Sequence, residues 1–288
     1  MQEYVLVFSK DSNREKSSKI ISNFSLDYIE TKFNYNVFCD YYKTREPILD
    51  KTKLDIRNIL SSHKVDILFL PLLLDATKPS LFVFDMDSTL IQQEVIDEIA
   101  KENGVYEEVS KVTLEAMEGK LNFDEALKKR CELLKGISTE TFERVYSRLQ
   151  LNLGVEFFLK NRKNYLIKVA VLSGGFEPIL QRFQREYRIE FFKANLLEEE
   201  NQILTGKVLG EIINAEKKEK YLLEIAQKER IPLSQVVAIG DGSNDSLMLN
   251  RAGIGIGFHA KDGLKRKIQN WIEYFGMEIL FFLFGSKT

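Results

Sequence analysis

A chain of 288 residues with 41 basic and 43 acidic side chains has a net charge of only −2, so no broad field recruits nucleic acid or an anionic membrane, and a small-molecule partner fits better. The length is enough for two units, each with its own core. Two cysteines and two histidines offer no disulfide framework and no zinc site, so any metal is expected on oxygen ligands.

Tyr4 to Phe8 reads as a first strand, and Arg14 to Phe24 carries Ile20, Ile21 and Phe24 at helical spacing. Leu26 to Phe33 and Tyr35 to Tyr42 read as a hairpin, the second arm with Tyr35, Val37, Cys39 and Tyr41 alternating on one face. A helix from about Pro47 to Ser62 uses Leu49, Ile56, Ile59 and Leu60, and Val65 to Leu70 supplies the last strand. This β-α-β-β-α-β order suggests a small α+β ferredoxin-like unit over 1–78. Asp75 to Ser80 is its expected linker to a second domain over 79–288.

Three short apolar runs in the second part read as parallel strands covered on both faces. They are Leu81 to Phe84 before Asp85, Val169 to Leu172 before Ser173, and Val236 to Ile239 before Gly240-Asp241. Between the first two, about 92–150 has room for several helices, more than one crossover needs, and reads as an inserted helical cap. The expected fold class is α/β, with a doubly wound, mainly parallel, Rossmann-like core. In such sheets ligands bind beyond the carboxyl ends of the strands, which would gather Asp85, Asp87, Ser173 and Asp241. The longest apolar stretches, around Ile67 to Leu74 and Ile279 to Phe284, fall short of the roughly 20 residues of a membrane span. Met1-Gln2-Glu3-Tyr4 opens without a basic and then apolar leader, so a cytoplasmic protein is expected.

Asp85-Met86-Asp87-Ser88-Thr89 sets two carboxylates one residue apart after a strand. The first could attack phosphorus and the second manage a proton, although a turn with a helix cap would look similar. Gly240-Asp241-Gly242-Ser243-Asn244-Asp245 adds glycines for close approach and carboxylates suited to magnesium, or else a tight turn. Ser173-Gly174-Gly175 offers a hydroxyl and backbone N–H groups to a phosphate. Lys218 could offset repulsion between phosphate and carboxylate, or lie on a solvated helix face.

These four segments together resemble the four ordered motifs of the haloacid dehalogenase superfamily, and from about Leu81 onward the chain resembles its phosphoserine phosphatase family. Glu94 to Ala100, Ala116 to Phe123 and Thr205 to Val208 carry the narrower likeness. The resemblance implies Mg-dependent hydrolysis of O-phospho-L-serine through an aspartyl phosphate, the last step of phosphorylated serine biosynthesis. Asp85 would be the nucleophile and Asp87 the general acid and base. Magnesium would be held by Asp85, the backbone carbonyl of Asp87 and Asp241. Ser173, Gly174 and Lys218 would grip the phosphoryl group, with Asn244 and Asp245 supporting the metal and phosphate end. Glu94 and Arg130 would read the serine ammonium and carboxylate, with Met117 and Phe123 lining the pocket. Without the resemblance, Arg130 would be read as surface and Glu94 as an acid favouring a helix N-terminus. The sequence departs from the family at Asn152-Leu153-Gly154 and at Asp262, where proline is usual. The first 78 residues resemble an ACT-like domain, which would regulate or pair two copies of the chain, and a chain starting near Lys78 is expected to fold.

Cys39 to Arg45 has the C-x5-R spacing of cysteine phosphatases, but Cys39 falls on the apolar face of a strand. Gly253 to Gly257 follows a helix and is no dinucleotide motif. Two alternatives stand beside the leading expectation: a phosphatase or phosphotransferase acting on another small phosphomonoester, and a catalytically idle serine sensor.

Overall fold

The computed structural model describes residues 2–285. In chain order its elements are β1 (Tyr4–Ser9), α1 (Asp11–Ile21), β2 (Leu26–Asn34), β3 (Val37–Thr44), α2 (Asp50–Ser61), β4 (Asp66–Leu70), β5 (Ser80–Phe84), α3 (Val95–Glu102), α4 (Tyr106–Met117), α5 (Phe123–Leu133) and α6 (Glu140–Tyr146). They continue with α7 (Val155–Asn161), β6 (Ile167–Phe176), α8 (Glu177–Tyr187), β7 (Phe191–Glu200), β8 (Ile203–Leu209), α9 (Ala215–Lys228), β9 (Val236–Gly240), α10 (Ser246–Arg251), β10 (Ile254–Phe258), α11 (Asp262–Lys265) and β11 (Trp271–Ile272). The fold is α/β with a mainly parallel sheet and a separate antiparallel sheet near the N-terminus, as expected. Among the described residues, no helix is long and apolar enough to cross a membrane. The chain forms two compact units from non-contiguous stretches: Met1–Phe82 with Leu153–Lys168 and Ala226–Thr288, and Val83–Asn152 with Val169–Ile225.

In the first unit the antiparallel sheet runs β2-β3-β1-β4. Strand alternation sends Val5 and Val7 of β1 to one face, where Ile21 of α1 and Ile56 and Leu60 of α2 complete a core. The opposite face is buried as well, because Phe8 meets the rings of Phe275 and Phe282 at 6.4 and 5.9 Å. Tyr35 departs from its expected place in the second hairpin arm. It and Asn36 form the turn, with φ of 59° and 60°, the left-handed pair that a tight hairpin twist favours. From there its ring packs on Phe157 and Phe281 at 4.8 and 5.7 Å.

Polar contacts fasten this sheet to the C-terminal segment. The Arg57 guanidinium donates to the carbonyls of Trp271 and Gln269 at 2.9 and 3.0 Å, and Tyr41 donates its hydroxyl to Phe282 O at 2.7 Å. Asn270 bonds both backbone groups of Phe69. The expected linker is itself pinned, since Asp75 exchanges two hydrogen bonds with the Gln235 amide at 2.9 and 3.0 Å. Removing residues 1–78 therefore strips partners from buried backbone of 269–285, so the structure speaks against an unperturbed fold for a chain starting near Lys78. In the same unit β9, β10 and β11 form a parallel run, next in order to the first half of β5. β10 takes up the Gly253 to Gly257 stretch from Ile254 onward, a strand and not a nucleotide loop.

In the second unit the end of β5, then β6, β7 and β8 follow in sheet order, β6 parallel to β7 and β7 antiparallel to β8. The 92–150 stretch holds α3 to α6, and its two ends close on each other: Ile91 bridges Leu151, and Gln92 N–H donates to Gln150 O at 2.9 Å. Ser173-Gly174-Gly175 lies inside β6 and not after it. Pairing with β7 jumps from Leu172–Lys193 to Phe176–Asn195, so these three residues stand opposite Ala194 alone and bulge from the ladder.

Asp66 supplies a test of the first unit. Its carboxylate accepts from the N–H groups of Glu273, Tyr274 and Phe275 at 3.0, 2.9 and 3.2 Å. Burial still outweighs those donors and Arg57, and pushes its pKa up from 3.8 to about 6. The folded state thus holds this proton more tightly than the unfolded chain does. The associated stability is complete below about pH 4 and is lost as pH rises through about 6, up to about 3 kcal/mol. Urea unfolding of the wild type and of Asp66→Asn from pH 4 to pH 7 should show the wild type losing stability relative to the variant as pH rises. Parallel curves would refute this account of Asp66.

Candidate active site

The apolar run of β5 is fully buried and delivers Asp85 at its end, only 5% exposed. Asp85 Oδ1 accepts from Met86 N–H at 2.7 Å and meets Lys218 Nζ at 2.8 Å, with the lysine side chain shut from solvent. Lys218 reaches this depth because α9 begins just before it: Asn214 Oδ1 accepts from Lys217 N–H and Asn214 O from Lys218 N–H, at 3.1 and 2.9 Å. The charge run read as a solvated face therefore hides one inward lysine.

The Asp87 carboxyl is held well above the usual carboxylate range, first by burial and then by the charges of Glu94 and Asp85, against the pull of Val95 N–H and Lys218. Its Oδ1 is enclosed and has no hydrogen-bond partner. A carboxyl that keeps its proton beside a paired carboxylate suits donation to a leaving oxygen. Ser88 follows at φ 56°, and its hydroxyl donates to Glu94 Oε1 at 2.9 Å. Asn152 Nδ2 donates to the carbonyls of Ser88, Thr89 and Ile91 at 3.0, 3.2 and 3.3 Å, which holds this turn from the far end of the helical insertion.

Ser173 is buried, and its Oγ accepts from Gly175 N–H at 2.8 Å, which leaves the hydroxyl proton to donate elsewhere. A Cβ at Gly175 would stand 3.2 Å from Asp87 Oδ2, so β6 passes against that carboxyl. A Cβ at Gly174 would be 2.9 Å from Phe123 Cζ, which places the Phe123 ring on the glycine pair. The structure thus brings Asp85, Asp87, Glu94, Ser173, Gly174, Lys218 and Phe123 into one unit. Arg130 is half-buried on α5, and its charge partly offsets the upward shift that burial and then the charge of Glu94 give to Asp97, one turn from Glu94. Met117 departs from expectation: it ends α4 with 80% exposure and stands in solvent instead of lining a pocket.

Asp241, Asn244 and Asp245 lie in the other unit. β9 is followed directly by buried Asp241, whose Oδ2 is 2.8 Å from Lys261 Nζ, and fully buried Asp245 accepts from Gly242 N–H at 3.1 Å. Asp241 and Asp245 in this unit, like Asp85 in the other, are buried hard-oxygen donors, the chemistry a divalent magnesium ion takes. Cys39 is fully buried and burial drives its thiol pKa well up, so it has no thiolate character, as its place on the strand implied. Sequence reasoning missed Asn152, Asn195 and Lys261, each a lone polar side chain whose partners are distant in the chain or on its backbone. The one signal for Asn195 is its polarity between Ala194 and Leu196-Leu197 in a stretch whose other polar residue is Lys193.

Because Asp85 and Lys218 are both desolvated, removing one takes away part of what compensates the other's buried charge. Lys218→Met should destabilise the protein by about 3 kcal/mol or more. Asp85→Asn combined with Lys218→Met should recover part of that loss in urea unfolding. A double variant no more stable than Lys218→Met would show that the pair is not what stabilises this interior.

Residues 79–253 match the haloacid dehalogenase-like hydrolase family. Over 185 residues the chain is 50% identical to a phosphoserine phosphatase of Archaeoglobus fulgidus, a match covering 64% of this chain and 54% of that protein, so it spans about half of that relative's length. It is 44% identical over 196 residues to a phosphoserine phosphatase of Methanocaldococcus jannaschii, covering 68% of this chain and 93% of the other. Its fold is similar to that of a HAD family hydrolase from Salmonella enterica subsp. enterica serovar Typhi, with a TM-score of 0.90, 28% identity and coverage of 100% and 99% of the two chains. The matched stretch carries Asp85, Asp87, Ser173, Lys218 and Asp241 alike, and the chain belongs to the haloacid dehalogenase-like hydrolases.

Proposed function

We propose that this protein hydrolyses O-phospho-L-serine to L-serine and phosphate, as the last step of phosphorylated serine biosynthesis. The observation that carries the reading is the pairing of roles two residues apart: Asp85 ion-paired with buried Lys218, and Asp87 with its carboxyl pKa raised. The names of the similar proteins support the substrate. Asp85 attacks phosphorus while the bond from phosphorus to the serine oxygen breaks, and Asp87 gives its proton to that oxygen. Asp87, now a carboxylate, takes a proton from water as the water oxygen attacks phosphorus, and the Asp85–phosphorus bond breaks to release phosphate. Ser173, Gly174 and Lys218 hold the phosphoryl oxygens throughout.

Magnesium, held by Asp85, the backbone carbonyl of Asp87 and Asp241 with Asn244 and Asp245 behind them, would supply charge neutralisation at the phosphoryl group. Glu94 takes the substrate ammonium and Arg130 its carboxylate, a guanidinium fork being suited to that group. Phe123 covers the pocket. In this reading 79–288 is the phosphatase domain with its cap at 92–150, and 1–78 is an ACT-like part through which two copies pair. The enzyme works in the cytoplasm on a small molecule, without nucleic acid or membrane.

Asp85→Asn should abolish phosphate release, and Asp87→Asn should lower kcat by about 10²–10⁴-fold, with chelation removing activity and magnesium restoring it. Full activity in Asp85→Asn would end this mechanism. Arg130→Ala should raise KM for phosphoserine at least about thirtyfold, a loss on the order of 2–5 kcal/mol, and leave p-nitrophenyl phosphate nearly unaffected. Equal losses on both substrates would make Arg130 structural and remove the support for serine.

A further inference from the structure

We infer that Asn195 is a positioning residue that fixes the orientation of the Gly174–Gly175 peptide, and through it the phosphate-binding face of the site. The inference rests on the reading of Ser173 and Gly174 as a phosphoryl grip. Asn195 is wholly buried on β7, at the point where pairing with β6 resumes after its slip. The slip takes Ser173, Gly174 and Gly175 out of the regular ladder, and a buried carbonyl there needs a substitute donor. Asn195 supplies it: Nδ2 donates to Gly174 O at 2.8 Å. Its Oδ1 accepts from Ile213 N–H at 2.9 Å, in the segment that leads into α9 and Lys218.

One peptide plane joins the Gly174 carbonyl to the Gly175 N–H, and the two point in opposite directions. With the carbonyl drawn to Asn195, the N–H is turned to Ser173 Oγ at 2.8 Å, which frees the serine proton for an anion. Two adjacent glycines resist a flip of that plane poorly, since neither has a Cβ. A flip would turn a carbonyl oxygen toward the place where N–H dipoles favour phosphate. The Asn195 amide is therefore what keeps the grip in its anion-binding sense, and its second bond keeps the approach to Lys218 in register with it.

The test uses the full chain with two probes, inorganic phosphate and L-serine, as competitive inhibitors of phosphate release. Asn195→Ala should weaken phosphate inhibition about tenfold or more and leave serine inhibition within about twofold. Unchanged phosphate inhibition, or parallel losses for both probes, would overturn the inference, the second because it marks general damage. Should the variant not fold, the wild type carries the test by NMR. The Asn195 side-chain amide protons should exchange slowly and shift when inorganic phosphate is added, and fast exchange with no response to phosphate would equally overturn it. Wild-type protein that responds to phosphate but does not turn over phosphoserine would leave this clamp standing and sink the substrate reading alone.

Discussion

The ion pair between Asp85 and Lys218 sets what the rest of its unit has to supply. Both side chains are almost without solvent contact, and desolvating each costs several kcal/mol that a contact of 2.8 Å repays only when other polar groups also serve the pair. Met86 N–H does so for Asp85, and the Asn214 cap starts α9 where Lys218 points inward. With that carboxylate in place, a second carboxyl two residues on, Asp87, is driven toward its protonated form, first by its burial and then by the negative charges of Glu94 and Asp85.

A buried aspartate is used in another way in the first unit. Asp66 is as enclosed as Asp85, but its acceptors are filled by three backbone N–H groups of residues 273–275. Peptide donors cannot leave, so Asp66 acts as a fixed joint between the N-terminal sheet and the C-terminal segment. Lys218 carries three protons on a flexible stem and can serve a phosphoryl oxygen together with Asp85. The same buried charge becomes architecture or chemistry according to whether its partner can also serve a ligand.

Much of this was legible because it depends on neighbours in sequence. The apolar runs before Asp85 and Asp241, the alternation around Cys39 and the β-α-β-β-α-β order each declare themselves within about ten residues. Tyr35 did not, because the alternating pattern continues through it, whereas the hairpin turn needs a left-handed backbone that an aromatic residue does not advertise. The placing of Ser173 to Gly175 inside β6 was hidden because a pairing slip is a property of two strands. Lys218 was legible by its type and hidden by its setting, as the run Glu216 to Lys220 gives no sign of which lysine turns inward. Glu94 and Arg130 stood out only through the family resemblance. Asn152 and Asn195 gave almost nothing, since an asparagine means little until its acceptors are known.

Those two asparagines show how a glycine-poor turn and a glycine-rich strand are made equally rigid. Ser88 holds a left-handed φ that costs a non-glycine residue about 1–2 kcal/mol, and the cost is met locally. Its N–H donates to Gln93 O at 3.3 Å, its hydroxyl to Glu94 and its carbonyl accepts from Asn152. Gly174 and Gly175 meet little such resistance and so need an outside hold, which Asn195 gives. The bond from Ser88 to Glu94 has a further effect. In the proposed reaction Glu94 receives the substrate ammonium, and it is tied at 2.9 Å to the residue directly after the proton donor Asp87. Displacing Glu94 without a substrate to fill its place therefore disturbs the turn that aims Asp87. Binding of the correct head group and alignment of the acid are one mechanical event, a form of selectivity that contact with the substrate alone would not provide.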